Sequence, residues 1–153
     1  MDKTVLKEKL SHKQPMLSSV LVEKSDTIEI IYPDILFIDF IPVFSERALE
    51  VLKIYEPAMI VKYINFIEGD GEDIKSYHIP ILKEVDCLSE KTVFKHGRQI
   101  DKGFLIKENI PDISIFKIAG EIDKEKTVIR ADFAESFLKR RLKGITLRSL
   151  EVV

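Results

Sequence analysis

The chain has 153 residues, 45% of them apolar, which suits one domain with a continuous core, and no second independent domain is expected. A third of the residues are charged, but the signs nearly cancel to a formal net charge of -2, so no global field favours nucleic acid or anionic lipid. A lone Cys87 excludes an internal disulfide and any multi-cysteine zinc site, and the apolar run from Met16 to Val22, broken by Ser18 and Ser19, is too short for a signal peptide or a membrane span; a soluble, unprocessed cytoplasmic protein is expected.

Residues 2–11 read either as a short charged helix, with Val5, Leu6 and Leu10 on one side, or, with the rest of 1–15, as a mobile tail. From Leu17 to Phe40 the chain is rich in Val, Ile and Phe, interrupted by the turn signals Ser25-Asp26 and Pro33-Asp34, which predicts strands near 18–23, 27–32 and 35–40. A helix is expected over about 45–55. Ser45 is its cap, Phe44 and Leu49 stand at the positions of a hydrophobic staple, Ala48, Val51, Leu52 and Tyr55 form the apolar stripe, and Pro57 stops it.

Residues 58–67 are apolar in both phases, the pattern of a central strand buried on both faces. The acidic stretch from Glu68 to Asp73, with Gly69 and Gly71, then turns the chain, and Ile74 to Leu82 returns as the partner strand with Pro80 near its end. Between Glu84 and Lys102 the periodicity fades, predicting an exposed connection with a short strand or helical turn. Short strands follow at 104–106, 113–118 and 127–130. A second helix, about 132–143, has Asp132 as cap candidate with Glu135 three residues on, basic residues in its last turn and Gly144 as the left-handed stop; Phe133, Phe137, Leu138 and Leu142 are its expected buried stripe. Ile145-Thr146-Leu147 reads as a closing strand. The fold class is therefore α+β, a single twisted, mostly antiparallel sheet with two main helices, in one domain spanning 1–153.

No catalytic constellation assembles from these residues. The glycines lack the spacing of a phosphate loop, the three histidines stand alone, and the acidic loop lacks the ordered ligand spacing of a calcium site. Asp86 beside Cys87 raises rather than lowers a thiol pKa, and Ser45 is explained as a cap. Lys139, Arg140, Arg141 and Lys143 complement a helix C-terminus and carry no interleaved exposed aromatics, so nucleic-acid binding is not expected. Four carboxylates, Glu68, Asp70, Glu72 and Asp73, concentrate at one hairpin tip, either as a solvated turn or as a contact surface for a basic protein.

The helix start Pro42-Val43-Phe44-Ser45-Glu46-Arg47, the strand Tyr77–Leu82 leading into Val85-Asp86-Cys87-Leu88-Ser89, the Ile110-Pro111-Asp112 turn before Ile115-Phe116-Lys117-Ile118, and a last helix ending in Leu142-Lys143-Gly144-Ile145 resemble the immunity protein 11 family of bacterial polymorphic toxin systems, over residues 36–153. Arg130-Ala131 stand where the family often has a hydroxyl cap, and the segment 91–103 has little counterpart. The resemblance implies a non-catalytic immunity protein without cofactor, which binds and neutralises a cognate secreted toxin domain in the producing bacterium. Candidate contact residues are Glu68, Asp70, Glu72 and Asp73 at the acidic tip and Lys95 and Arg98 in the irregular segment. The competing reading is a small ligand-binding protein or enzyme whose site gathers scattered residues such as Tyr63, His78 and Asp86, and a weaker one is a homo-oligomeric module using its strand edges.

Overall fold

The structure, a computed structural model, describes residues 19–22, 32–68, 73–120 and 126–153. The expected helix at 2–11, residues 27–31 of the second expected strand and residues 69–72 of the acidic turn lie outside these. The chain divides into two compact units, residues 1–81 with 137–145 and residues 82–136 with 146–153.

The first unit holds a five-stranded sheet made of β1 (Ser19–Val22), β2 (Ile35–Ile38), β3 (Ile41–Phe44), β4 (Val61–Glu68) and β5 (Asp73–Pro80), in the order β1-β4-β5-β3-β2. The β1–β4 pair is parallel and the others antiparallel. The expected strand at 35–40 ends at Ile38, because Asp39 and Phe40 both take positive φ and turn the chain into β3. Strand β4 is central by pairing but not buried on both faces. Ile64 and Phe66 pack with Val43, Tyr77 and Ile79, whereas Tyr63, on the other face, is 53% exposed.

Helix α1 (Glu46–Tyr55) begins as its sequence demands. Ser45 is extended at φ -63, ψ 170, and its Oγ accepts a bond from the Ala48 N–H at 3.2 Å, satisfying one of the orphan donors of the first turn. Ala48, Leu49, Val51 and Leu52 are buried, and the helix lies against β3 and β5. Phe44 meets Phe137 edge-on, with ring centroids 6.0 Å apart and planes at 89°, a favoured aromatic geometry.

The second unit is built from shorter pieces: β6 (Glu84–Val85), β7 (Val93–Lys95), β8 (Gln99–Lys102), β9 (Phe104–Leu105), β10 (Ile115–Ile118), β11 (Val128–Ile129) and β12 (Glu151–Val152). They form a three-stranded sheet, β11-β10-β6, and two pairs, β12-β9 and β7-β8. Val85, Cys87, Ile100, Leu105, Phe116 and Ile118 make its core. The α+β class with mostly antiparallel strands thus holds, but the described strands fall into four sheets rather than one. Strands of two to four residues present too few backbone groups to extend a common ladder.

Helix α2 (Ala131–Lys139) departs from expectation at both ends. Its first bond runs from the Ala134 N–H to the Arg130 carbonyl, so Arg130 holds the cap position and Asp132 lies inside the first turn, clasped by the Arg130 guanidinium at 2.7 and 3.1 Å. At the other end the Arg141 N–H bonds the Leu138 carbonyl at 3.0 Å and the Leu142 N–H bonds the Phe137 carbonyl at 3.2 Å, with Arg141 at φ +53. This is a Schellman closure with arginine where glycine is usual, completed by burial of Phe137 and Leu142. The helix therefore ends at Lys139 and residues 140–143 belong to the closing turn. Leu138 is exposed, not part of the stripe, since it is rotated about 140° from Phe133 around a 3.6-residue turn. No strand forms at 145–147; the chain closes instead through β12.

Gly144, expected to stop the helix, does a different job. It sits at φ +100 against the backbone of residue 35, where an added Cβ would overlap the Ile35 carbonyl oxygen and touch the Pro33 side chain.

Candidate functional site

The segment that reads as irregular in sequence is a β-hairpin. Val93 pairs with Lys102, Phe94 with Ile100 and Lys95 with Gln99, with a bulge between the first two pairs that accommodates Asp101. Its root is anchored: Ile100 is buried in the unit's core, and the buried Thr92 uses its hydroxyl to accept from the Phe104 N–H at 3.2 Å and donate to the Phe104 carbonyl at 3.3 Å. Every residue from Val93 to Gln99 is exposed.

Two of these are apolar, Val93 at 49% and Phe94 at 44%. The register puts Phe94 on the Ile100 face and Val93 on the opposite one with Lys95, Gln99 and Lys102. At the tip, Gly97 and Arg98 both take left-handed φ, +69 and +60. Lys95 Nζ lies 3.8 Å from Asp101 Oδ1, an exposed pair worth little in water, and Lys102 stands over the Phe104 ring at 5.6 Å. Residues 91–102 carry four basic side chains against the single acid Asp101, a local charge of +3 in a chain whose net charge is -2.

Lys95 and Arg98 are thus brought together, on one hairpin of the second unit. Glu68 and Asp73 are register partners at the end of the β4–β5 hairpin in the first unit, and Asp70 and Glu72 lie outside the described residues.

The scattered residues Tyr63, His78 and Asp86 are divided between the two units. Tyr63 and His78 are register partners in the first unit, and Asp86 belongs to the second, where its carbonyl accepts from Asn109 Nδ2 at 3.1 Å. His78 Nε2 is 2.7 Å from Oε2 of Glu46, the first residue of α1. That contact orients the imidazole and ties β5 to the helix. Beside it, on the same sheet face, Ser76 Oγ donates to Asn65 Oδ1 at 2.7 Å. Cys87 is fully buried, and burial first, then neighbouring Asp86, pushes its thiol up, which leaves it a poor nucleophile. Among the described residues no three His, Cys, Asp or Glu side chains gather as metal ligands, and no described helix is long and apolar enough to cross a membrane.

Sequence reasoning missed Val93 and Phe94 as exposed apolar residues and Glu46 as the partner of His78. The first had a signal, the order Val93-Phe94, then Gly97, then Ile100, which is strand, turn and strand. The second had none, because 32 residues separate the pair and only the β3–β5 pairing brings them together. Searches against protein-family models, curated proteins and solved structures find no match to this chain.

Proposed function

We propose that this chain is a non-catalytic immunity protein: in the cytoplasm of a toxin-producing bacterium it binds the toxin domain of a secreted effector and neutralises it by stoichiometric contact. The observation that carries the reading is the β7–β8 hairpin. It holds two exposed apolar side chains among basic residues on a root fixed by core packing and by Thr92. Interfaces draw most of their energy from a few such anchors held in place before binding, and a fixed root lowers the ordering cost. Protection against a toxin requires nanomolar affinity or better, about -12 kcal/mol, which a standard-size interface supplies without cofactor or covalent chemistry. The toxin as partner comes from the sequence resemblance over residues 36–153.

The test has two steps. Tagged protein is captured from its native host and co-purifying chains are identified by mass spectrometry; the C-terminal domain of a large secreted protein is expected in equal amount. That domain is then expressed in a heterologous host with and without this chain. Survival that depends on the chain supports the proposal, and killing that it does not relieve, or recovery of the chain alone while its gene neighbours are expressed, overturns it.

A further inference from the structure

We propose that the β7–β8 hairpin is a wedge that docks into an acidic cleft of a protein partner, with Arg98 and Lys95 reading the charge and Val93 and Phe94 filling the cleft from the two faces. The inference rests on the protein-binding reading above but not on the partner being a toxin. Three observations converge on it.

The first is charge. The +3 of residues 91–102 opposes the sign of the whole chain, so the hairpin is a local positive pole that attracts and orients an acidic surface. The second is the tip. Arg98 holds φ +60, a left-handed conformation that is strained for any residue with a Cβ, and its exposed side chain makes no hydrogen bond or ion pair among the described residues. Glycine would occupy that position without strain, so no packing need in the folded chain accounts for the guanidinium. The other basic cluster also holds an exposed left-handed arginine, Arg141 at φ +53, but there the conformation closes α2, and the bonds of its neighbours are made by backbone atoms, the Arg140 carbonyl receiving Arg47 Nη2 at 2.9 Å and the Lys143 backbone meeting Asp34.

The third is the placement of the apolar groups. Single-stranded nucleic acid is bound by aromatic rings that lie side by side on one face. Here the exposed rings of the hairpin are Phe94 on its strand and the imidazole of His96 at the tip, and Val93 is on the face opposite Phe94, which suits insertion between two protein walls.

The test is an amide-resolved NMR titration of the full chain with polyglutamate, and separately with oligothymidylate of equal charge. Shifts concentrated at residues 91–102 with polyglutamate, lost at high salt, are expected, and Arg98→Glu combined with Lys95→Glu weakens binding at least about tenfold. Arg98→Gly relieves the left-handed strain, so it keeps or raises the melting temperature while weakening polyglutamate binding. Unchanged binding by Arg98→Gly, shifts centred on residues 139–143, no shifts at all, or tighter hairpin binding to oligothymidylate overturns the proposal. If polyglutamate maps to the hairpin while the host capture yields no toxin domain, the wedge stands and the immunity reading falls.

Discussion

Asp34 and Lys143, 109 residues apart, are bonded in both directions: the Asp34 N–H donates to the Lys143 carbonyl at 3.0 Å, and the Lys143 N–H donates to Asp34 Oδ2 at 2.9 Å. The other carboxylate oxygen accepts from Ser45 Oγ at 2.9 Å, and the Asp34 carbonyl accepts from the Ser45 N–H at 2.7 Å. One buried side chain therefore joins the start of β2, the cap of α1 and the segment that follows α2. Arg47 Nη1 stands 3.7 Å away but is exposed, so it adds little beyond the hydrogen bonds.

Replacing Asp34 leaves the Lys143 N–H and the Ser45 hydroxyl without their acceptor. Asp34→Ala is expected to destabilise by about 2–4 kcal/mol, since each buried donor left unmade costs about 1–3 kcal/mol. Ser45→Ala, which removes the cap bond to Ala48 and one bond to Asp34, is expected to cost about 1–2 kcal/mol. Urea denaturation of both single variants and the double variant checks this; a double-variant loss equal to the sum of the singles would show that the two residues do not act as one unit.

Gly144 and Gly120 both take positive φ, +100 and +93, but only Gly144 is crowded. Gly120→Ala is expected to cost about 1 kcal/mol, the backbone strain alone. Gly144→Ala must also push against the Ile35 carbonyl and Pro33, so its loss should be at least twice as large. Comparable melting temperatures for the two variants would contradict the close approach.

Tyr77 is buried and donates to the Pro33 carbonyl at 2.5 Å; burial, then Asp34, then Tyr32 push its phenol up to about 12. In the unfolded chain the phenol titrates near about 10. Between these values the unfolded chain has released a proton that the folded protein keeps. Stability from this group is therefore full below about pH 10 and falls as pH rises toward 12, by on the order of 2 kcal/mol in all. Tyr77→Phe cannot show this loss, so the difference between wild type and variant in denaturant stability should shrink with rising pH. A constant difference would refute the assignment.

Phe40 sits at φ +68 beside Asp39 at +47, in a two-residue turn closed by the Ile38–Ile41 pair. Turns with two positive φ values favour Asn or Asp first and glycine second. Phe40→Gly is expected to stabilise the protein by about 1 kcal/mol, because the relief of left-handed strain exceeds glycine's entropic cost. A lowered melting temperature would mean that the ring, which is partly covered, contributes more packing than the strain removes.

Elements with a local cause were legible. Ser45 caps α1 because its hydroxyl and the Ala48 N–H are three residues apart, and Phe133 and Phe137 recur at helical spacing on α2. The turn at Asp39-Phe40 was not, because Asp39 suits its first position but Phe40 stands at the second, where glycine is the usual mark. The hairpin at 93–102 was obscured because its outer positions are basic rather than alternating, so period-two patterning, the main strand signal, is absent. Of the candidate contact residues, Lys95 and Arg98 could be named from sequence; the order Val93-Phe94, Gly97, Ile100 marked a strand, a turn and a strand, but the exposure of Val93 and Phe94 depends on what the folded unit leaves uncovered.

By itself the sequence determined the α+β class and the body of each described helix, since these follow from spacing, caps and neighbours within a few residues; for Cys87 it supplied the neighbouring Asp86, while the larger cause of the raised thiol pKa, burial, came with the fold. Tertiary structure alone decided that Arg141 rather than Gly144 closes α2, that Gly144 is reserved for its approach to Ile35, and that Asp34 reaches Ser45 and Lys143. The physical reason is common to all three. A left-handed residue or a buried carboxylate is chosen by what the rest of the chain presses against it, and partners 109 residues distant leave no mark on local spacing.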